Sequence, residues 1–295
     1  MANPKVASWY GAGLDNFLQP GSNRGTTFYV FGLDGGIGAD TNSGLRPDVP
    51  FKTLKAAIAA CTNEMHDTIV VLDYWQPTGE DWPIVVNKTT VAIIGGFSRT
   101  FMGWACIVPP GDTAAFDIQA TSHIENLYFS AGASHGCIEF GLVGSGPQRT
   151  SIHRCYFGYV APKYGIYSPN ADGAGMGLDI GHCTFEYQIV TNGIYLFNPV
   201  SARIHDNVFA DCGTAAIYIG QGAYCQLLNN TIACSADTQG YGITLGAGTV
   251  GIMVAGNMAN FGDTDMAANP YLDGAGAGVN HWMTNYKGIT LIQPA

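Results

Sequence analysis

Asn192-Gly193-Ile194-Tyr195-Leu196-Phe197, "NGIYLF", reads locally as a short strand, but the chain writes it more than once. "YGIYS" runs from Tyr164 to Ser168, "AAIYIG" from Ala215 to Gly220 and "YGITLG" from Tyr241 to Gly246. A second signature, I-x-x-[CN]-x-F, keeps phase with the first. It stands at Ile152 to Phe157 (IHRCYF), Ile180 to Phe185 (IGHCTF) and Ile204 to Phe209 (IHDNVF), with weaker copies starting at Ile124, Leu227 and Val254. Successive first positions are 28, 28, 24, 23 and 27 residues apart.

A period of roughly 20 to 30 residues, built from short strands and Gly-rich turns, points to a solenoid. A leucine-rich repeat would need a Leu framework and a helical segment in each turn, and neither is present. What remains is a parallel β-helix, in which each coil lies about 4.8 Å above the last and like residues stack on like. The fourth position of the second signature then forms one column: Leu127, Cys155, Cys183, Asn207, Asn230 and Asn257. Asn there would sit in a tight turn and hydrogen-bond along the column, with Cys as a small apolar substitute. Upstream, Pro50 to Cys61 (PFKTLKAAIAAC) predicts a helix with Pro in its first turn and Phe51, Leu54, Ile58 and Cys61 on one face. Such a helix would cap the open N-terminal end of the core and its unpaired strand edges. The organisation expected is an arm over residues 1–27, a β-helix over 28–257 that includes the cap helix 50–61, and a C-terminal cap over 258–295.

Composition narrows the function. Only 12% of the 295 residues are charged, 40 are Gly, and the net charge is −10. Phosphate binding needs clustered Lys and Arg, so nucleic acid is not an expected partner. The longest apolar runs are strand-sized, which argues against membrane insertion by a helix. "MANPKVASWYGAGLDNF" lacks a basic segment followed by an apolar core, so no secretory signal is read. Eight cysteines without a C-x-x-C pair suit interior thiols better than a zinc site. Low charge favours a subunit that buries surface in an assembly.

The stretch "FYVFGLDGGIGADTNSGLRPDVPFKTLKAAIAAC", followed by "DTIVVL", "TTVAIIGGF" and "HIENLYFSAG", resembles the start of the pectate-lyase-like superfamily. The later coils are similar to its repeats, and the likeness covers roughly residues 28 to 257. The resemblance implies an all-β fold, a single-stranded right-handed parallel β-helix with an N-terminal capping helix. It leaves function open, because that superfamily holds polysaccharide lyases, hydrolases, epimerases, phage tailspikes and non-enzymatic virion parts. The calcium-binding Asp cluster and nearby base of its lyases are not evident beside Arg149, Arg154 or Arg203. The polygalacturonase set N-x-D, D-D and G-H-G does not appear together, and "SHGC" (Ser134 to Cys137) is at best a fragment of it.

Side chains alternate along a strand, so Ile194 and Leu196 point in and Tyr195 points out. Aligning coils on Phe116, Ile138, Ile166, Ile194, Ile217 and Ile243 places Asp117, Glu139, Tyr167, Tyr195, Tyr218 and Thr244 in one exterior column. Tyr167, Tyr195 and Tyr218 would either receive a carbohydrate, ring against ring, or act as a ladder or protein interface. Asp117 and Glu139, on neighbouring coils, are the candidate acid and nucleophile of a retaining glycosidase. His153, His182 and His205 are read as surface histidines, offset along their strands with no carboxylate to complete a ligand set, so no metal is expected. Asp34, Asp40 and Asn42 are read as a Gly/Asn turn, since EF-hand spacing is absent. No cofactor is implied.

These readings converge on a structural or adhesive component of a phage-like virion, either a short tailspike or a capsid-surface decoration. It would sit on the virion surface as a homotrimer, the trimer being implied by the family alone. Trp9, Tyr10 and Phe17 of the arm would meet other virion proteins, and the Tyr stripe would bind a cell-surface polysaccharide. The alternative is a polysaccharide depolymerase acting through Asp117 and Glu139.

Overall fold

The computed structural model describes residues 25–96, 104–140, 149–158, 161–169, 176–186, 189–234, 240–261, 270–276, 279–287 and 290–292. Trp9, Tyr10 and Phe17 lie outside them. The chain winds as a right-handed parallel β-helix with three sheets of ten, nine and eight strands, the hand that parallel crossovers take. The first sheet runs from Thr27–Gly32 to His281–Met283, the second from Ala105–Ile107 to Thr290–Ile292, and the third from Ile84–Val86 to Tyr271–Asp273. Among the described residues no helix is long and apolar enough to cross a membrane.

The second sequence signature makes the corner between the first and second sheets. Its first position is an inward residue of the first sheet and its sixth an inward residue of the second, as with Ile152 and Phe157, both fully buried. The third position takes the left-handed conformation in every coil: Asn126, Arg154, His182, Asp206, Asn229, Gly256 and Thr284 have φ between 50° and 68°. The fourth turns inward. There Asn207, Asn230, Asn257 and Asn285 form a buried ladder, each side-chain amide donating to the next Asn Oδ1 at 2.9–3.0 Å. The same nitrogens donate to Ile180, Ile204, Leu227 and Val254 carbonyls, and Asn207 Oδ1 also receives the Cys183 backbone N–H. Cys155 and Cys183 continue the column, their Sγ atoms directed at Ile124 and Ile152 carbonyls, so the predicted Asn–Cys column is present.

The Phe positions stack too. Phe129, Phe157, Phe185 and Phe209 have successive ring centroids 5.5, 4.6 and 4.6 Å apart. This stack explains the Gly of the first signature. A Cβ on Gly165 would lie 2.6 Å from the Phe185 ring, and one on Gly193 would lie 2.6 Å from that of Phe209.

The cap helix, α1 (Leu54–Ala60), is shorter than the predicted 50–61. Thr53 is its N-cap, accepting from Ala56 N–H at 3.1 Å, while Glu80 takes the Leu54 and Lys55 N–H groups. Pro50 does not open the helix because Phe51 is spent on the sheet, exchanging backbone hydrogen bonds with Tyr29 and Phe31. Phe51, Leu54, Ile58 and Cys61 are nonetheless all buried, as their spacing predicts. Asp40 accepts from the N–H groups of Lys52 and Thr53, and Asp34 accepts from Thr78, so both tie this loop to neighbouring segments. Past residue 257, where the signature fades, parallel pairing continues through Tyr271–Asp273, His281–Met283 and Asn285–Lys287. Thr290–Ile292 then folds back antiparallel on Asn285–Lys287.

Asn230→Ala would leave the buried Asn207 amide without its acceptor and the Ile204 carbonyl without its donor. Each orphaned group costs about 1–3 kcal/mol, so urea unfolding should show a midpoint well below wild type. The thiols give a second test. Burial pushes Cys61 and Cys106 up to about 12 and raises Cys137 and Cys155 as well. Cys61, Cys106, Cys137, Cys155, Cys183, Cys212 and Cys225 are all buried and none is in a disulfide, so a thiol reagent at pH 8 should leave these seven unlabelled until the protein is denatured.

Candidate functional site

The exterior column of the third sheet is in the register that the sequence predicts. Asp117 pairs with Glu139, Glu139 with Tyr167, Tyr167 with Tyr195, Tyr195 with Tyr218, and Tyr218 with Thr244. Tyr195 and Tyr218 stack at 4.8 Å and 13°, and Tyr167 meets Tyr195 at 5.4 Å and 47°. The sequence reading missed Tyr164. Tyr164, directly before Gly165, shares the outer face of Tyr167, its ring 4.2 Å from that of Tyr167. The local signal was the "YGIY" spelling, in which a Gly interrupts the two-residue alternation.

Because these rings face one another along the rod, their outward surface is mainly ring edges and phenol oxygens. Among the described residues no partner takes the hydroxyls of Tyr167, Tyr195 or Tyr218. Burial raises the phenols of Tyr167 and Tyr195 above their ordinary value, so they remain neutral O–H donors through the physiological range. A second pair of stacked tyrosines, Tyr128 and Tyr156 at 4.7 Å, lies outside the second sheet with Trp104 against it. Stacked Tyr is thus a recurrent way of covering this rod.

Asp117 and Glu139 are adjacent in register, but each turns to its own coil. Gln119 donates to Asp117 at 2.6 Å, while Glu139 accepts from the Gly136 N–H at 2.9 Å and lies 3.2 Å from His135 Nδ1. Val85, next in the column before Asp117, lines a hollow of about 350 Å3 with Lys55, Glu80, Asp81 and Lys88. Burial raises the Glu80 carboxyl, yet both its oxygens are engaged by the start of α1 and by the Tyr74 hydroxyl.

The outer face of the first sheet differs from expectation. His153, His182 and His205 are brought together with two carboxylates rather than left apart. His153 Nε2 lies 3.2 Å from Asp179 Oδ2, and His205 Nε2 lies 3.1 Å from Asp179 Oδ1. His205 Nδ1 lies 2.7 Å from Asp206 Oδ2. His205 is buried, and the His182 ring stands edge-on to it at 5.4 Å. The sequence hid this because His153 and His205 are two coils apart in one outward column, with Gly181 between them. Gly181 has no side chain to separate the rings, and Asp179 enters from the neighbouring column. Hydrogen bonding to His153 holds Asp179 below the ordinary carboxylate value, and His205 does the same for Asp206.

Next to this cluster Glu125 is buried and bonded to His123 at 3.0 Å and Arg154 at 2.5 Å. Burial alone would push its carboxyl up, but these two partners outweigh that and hold it low. Arg154 is half-exposed, which limits the pair to about 1 kcal/mol. Arg154→Ala should therefore lower unfolding free energy by about that much at pH 7, as read from urea denaturation.

No protein-family model and no curated protein matches the sequence. Among solved structures, the crystal structure of pectate lyase Pel9A is similar, with a TM-score of 0.46 and 14% identity over 93% of this chain and 80% of that one.

Proposed function

We propose that this chain is a structural and adhesive rod, a surface component of a phage-like virion, whose tyrosine stripe contacts a glycan. The observation that carries this reading is the in-register row Tyr167, Tyr195 and Tyr218, with its phenol hydroxyls at the outer edge. Ring edges and phenols at coil spacing suit a polyhydroxylated chain lying along the rod, to which they offer apolar contact and hydrogen bonds together. The virion setting rests on the superfamily resemblance and on a charge content of 12%, low for a chain that shares no interface. Assembly as a trimer, with Trp9, Tyr10 and Phe17 meeting neighbouring virion proteins, is part of the same proposal.

A second reading is favoured by one observation. Asp117 and Glu139 are direct neighbours on adjacent strands, close to the hollow beside Val85. A polysaccharide depolymerase would use one as acid and the other as nucleophile.

A titration against a panel of neutral and acidic polysaccharides separates the two. Adhesion predicts binding that weakens about tenfold, or 1.4 kcal/mol, in Tyr195→Ala, with no new reducing ends. Affinity unchanged in that variant would sink the glycan role of the stripe. Reducing ends that appear with wild type and vanish in Asp117→Asn or Glu139→Gln would hand the function to the depolymerase reading. Light scattering should give three times 31.1 kDa, and a monomer at every concentration would overturn the trimer.

A further inference from the structure

The histidine–aspartate cluster on the first sheet gathers two imidazoles and two carboxylates from three coils. Asp206 Oδ2 sits 2.7 Å from His205 Nδ1, the contact by which an outer carboxylate orients an imidazole. The other ring nitrogen, His205 Nε2, lies 3.1 Å from Asp179 Oδ1. The second oxygen of Asp179 faces His153 Nε2 at 3.2 Å. Two imidazole nitrogens and a carboxylate converge here, the ring centroids are 5.9 Å apart, and the His205 ring is almost wholly buried. A single divalent cation would take both nitrogens and Asp179 together.

We propose that His153, Asp179 and His205 form a binding site for a borderline divalent transition metal such as Zn2+, with Asp206 as the carboxylate that orients His205. The three ligand atoms lie within 4.8 Å of one another. Metal–nitrogen and metal–oxygen bonds of about 2.0–2.2 Å require only small side-chain rotations from there. Two imidazoles and one carboxylate select zinc and its neighbours over calcium or magnesium, which prefer oxygen throughout. The Asp206–His205 pair matches the carboxylate–histidine–metal arrangement in which an outer carboxylate fixes the tautomer. His153 and Asp179 are partly exposed, leaving the ion open to water on its outer side.

Gly181 supports the assignment independently. It occupies a strand position with no left-handed φ to demand glycine, and glycine there weakens a strand. A Cβ would meet His205 Cε1 and Nε2 at 2.6 Å. The missing side chain is therefore what lets the His205 ring lie across the intervening coil and reach Asp179. A second triad, His182, His205 and Asp206, also falls within 4.8 Å, but it would require Asp206 to give up its role on Nδ1.

The test uses the full chain without an affinity tag, stripped with a chelator and titrated with Zn2+ by calorimetry and with Co2+ by visible absorption. We expect one equivalent to bind, with a ligand-field band for Co2+. Asp179→Asn and Gly181→Ala should abolish it, Asp206→Asn should weaken it roughly 10- to 100-fold, and His182→Ala should leave it unchanged. Far-UV circular dichroism is to be checked against wild type for each variant, and the isosteric Asp179→Asn keeps the test valid if Gly181→Ala does not fold. Absence of binding by wild type, or binding that survives Asp179→Asn, overturns the proposal. Loss in His182→Ala with retention in Asp179→Asn overturns the choice of ligands.

Discussion

Everything in this molecule hangs on axial register. A parallel ladder sets coils about 4.8 Å apart, but that spacing alone does not say which residue lies over which. The buried Asn207–Asn230–Asn257–Asn285 column does, because each amide needs the Oδ1 of the next coil and a carbonyl of the previous one. A slip of one residue would bury unpaired amides and turn every inward Ile outward. Coil lengths vary from 23 to 28 residues, so the insertions must leave at loops between strands, and the corner stays constant. The left-handed residue just before the column, from Asn126 to Thr284, is the backbone expression of that constancy.

Once register is fixed, glycine acts as a tool for adjusting the space between stacked rings. Inside, Gly165 and Gly193 make room for Phe185 and Phe209, so that large rings can stack at 4.6 Å. Outside, Gly181 performs the same service for His205. The inner gaps stabilise the core through close packing. The outer gap draws imidazoles and carboxylates from three coils into one cluster, which no single strand could assemble.

Much of this was legible because a solenoid writes its contacts as repeats. The exterior column from Asp117 to Thr244 and the Asn–Cys column follow from alignment of Ile anchors and the fourth motif position, with no structure needed. What alignment missed has physical reasons. Phe51 was assigned to the helix because its spacing is helical, whereas its backbone groups pair with the first strand. Tyr164 was overlooked because strict alternation, carried through Gly165, would turn it inward. The histidine cluster was invisible because its members are neither in one row nor one coil. Asp179 sits a residue before the motif begins, and the meeting depends on what Gly181 lacks.

The two outer faces carry opposite chemistries, and this narrows the proposed glycan. The first sheet displays ionisable groups paired with one another: Arg154 with Glu125, and His153 and His205 with Asp179 and Asp206. The third sheet displays uncharged phenols, with Asp117 and Glu139 at the N-terminal end of the row. An anionic polysaccharide laid along that row would meet two carboxylates at its head and a protein of net charge −10 around it. Repulsion of this kind is a means of rejecting partners as well as choosing them. A neutral glycan pays no such cost, and the carboxylates at the head then become acceptors for sugar hydroxyls instead of obstacles. The tyrosine stripe is therefore better matched to an uncharged polyhydroxylated chain than to an acidic one.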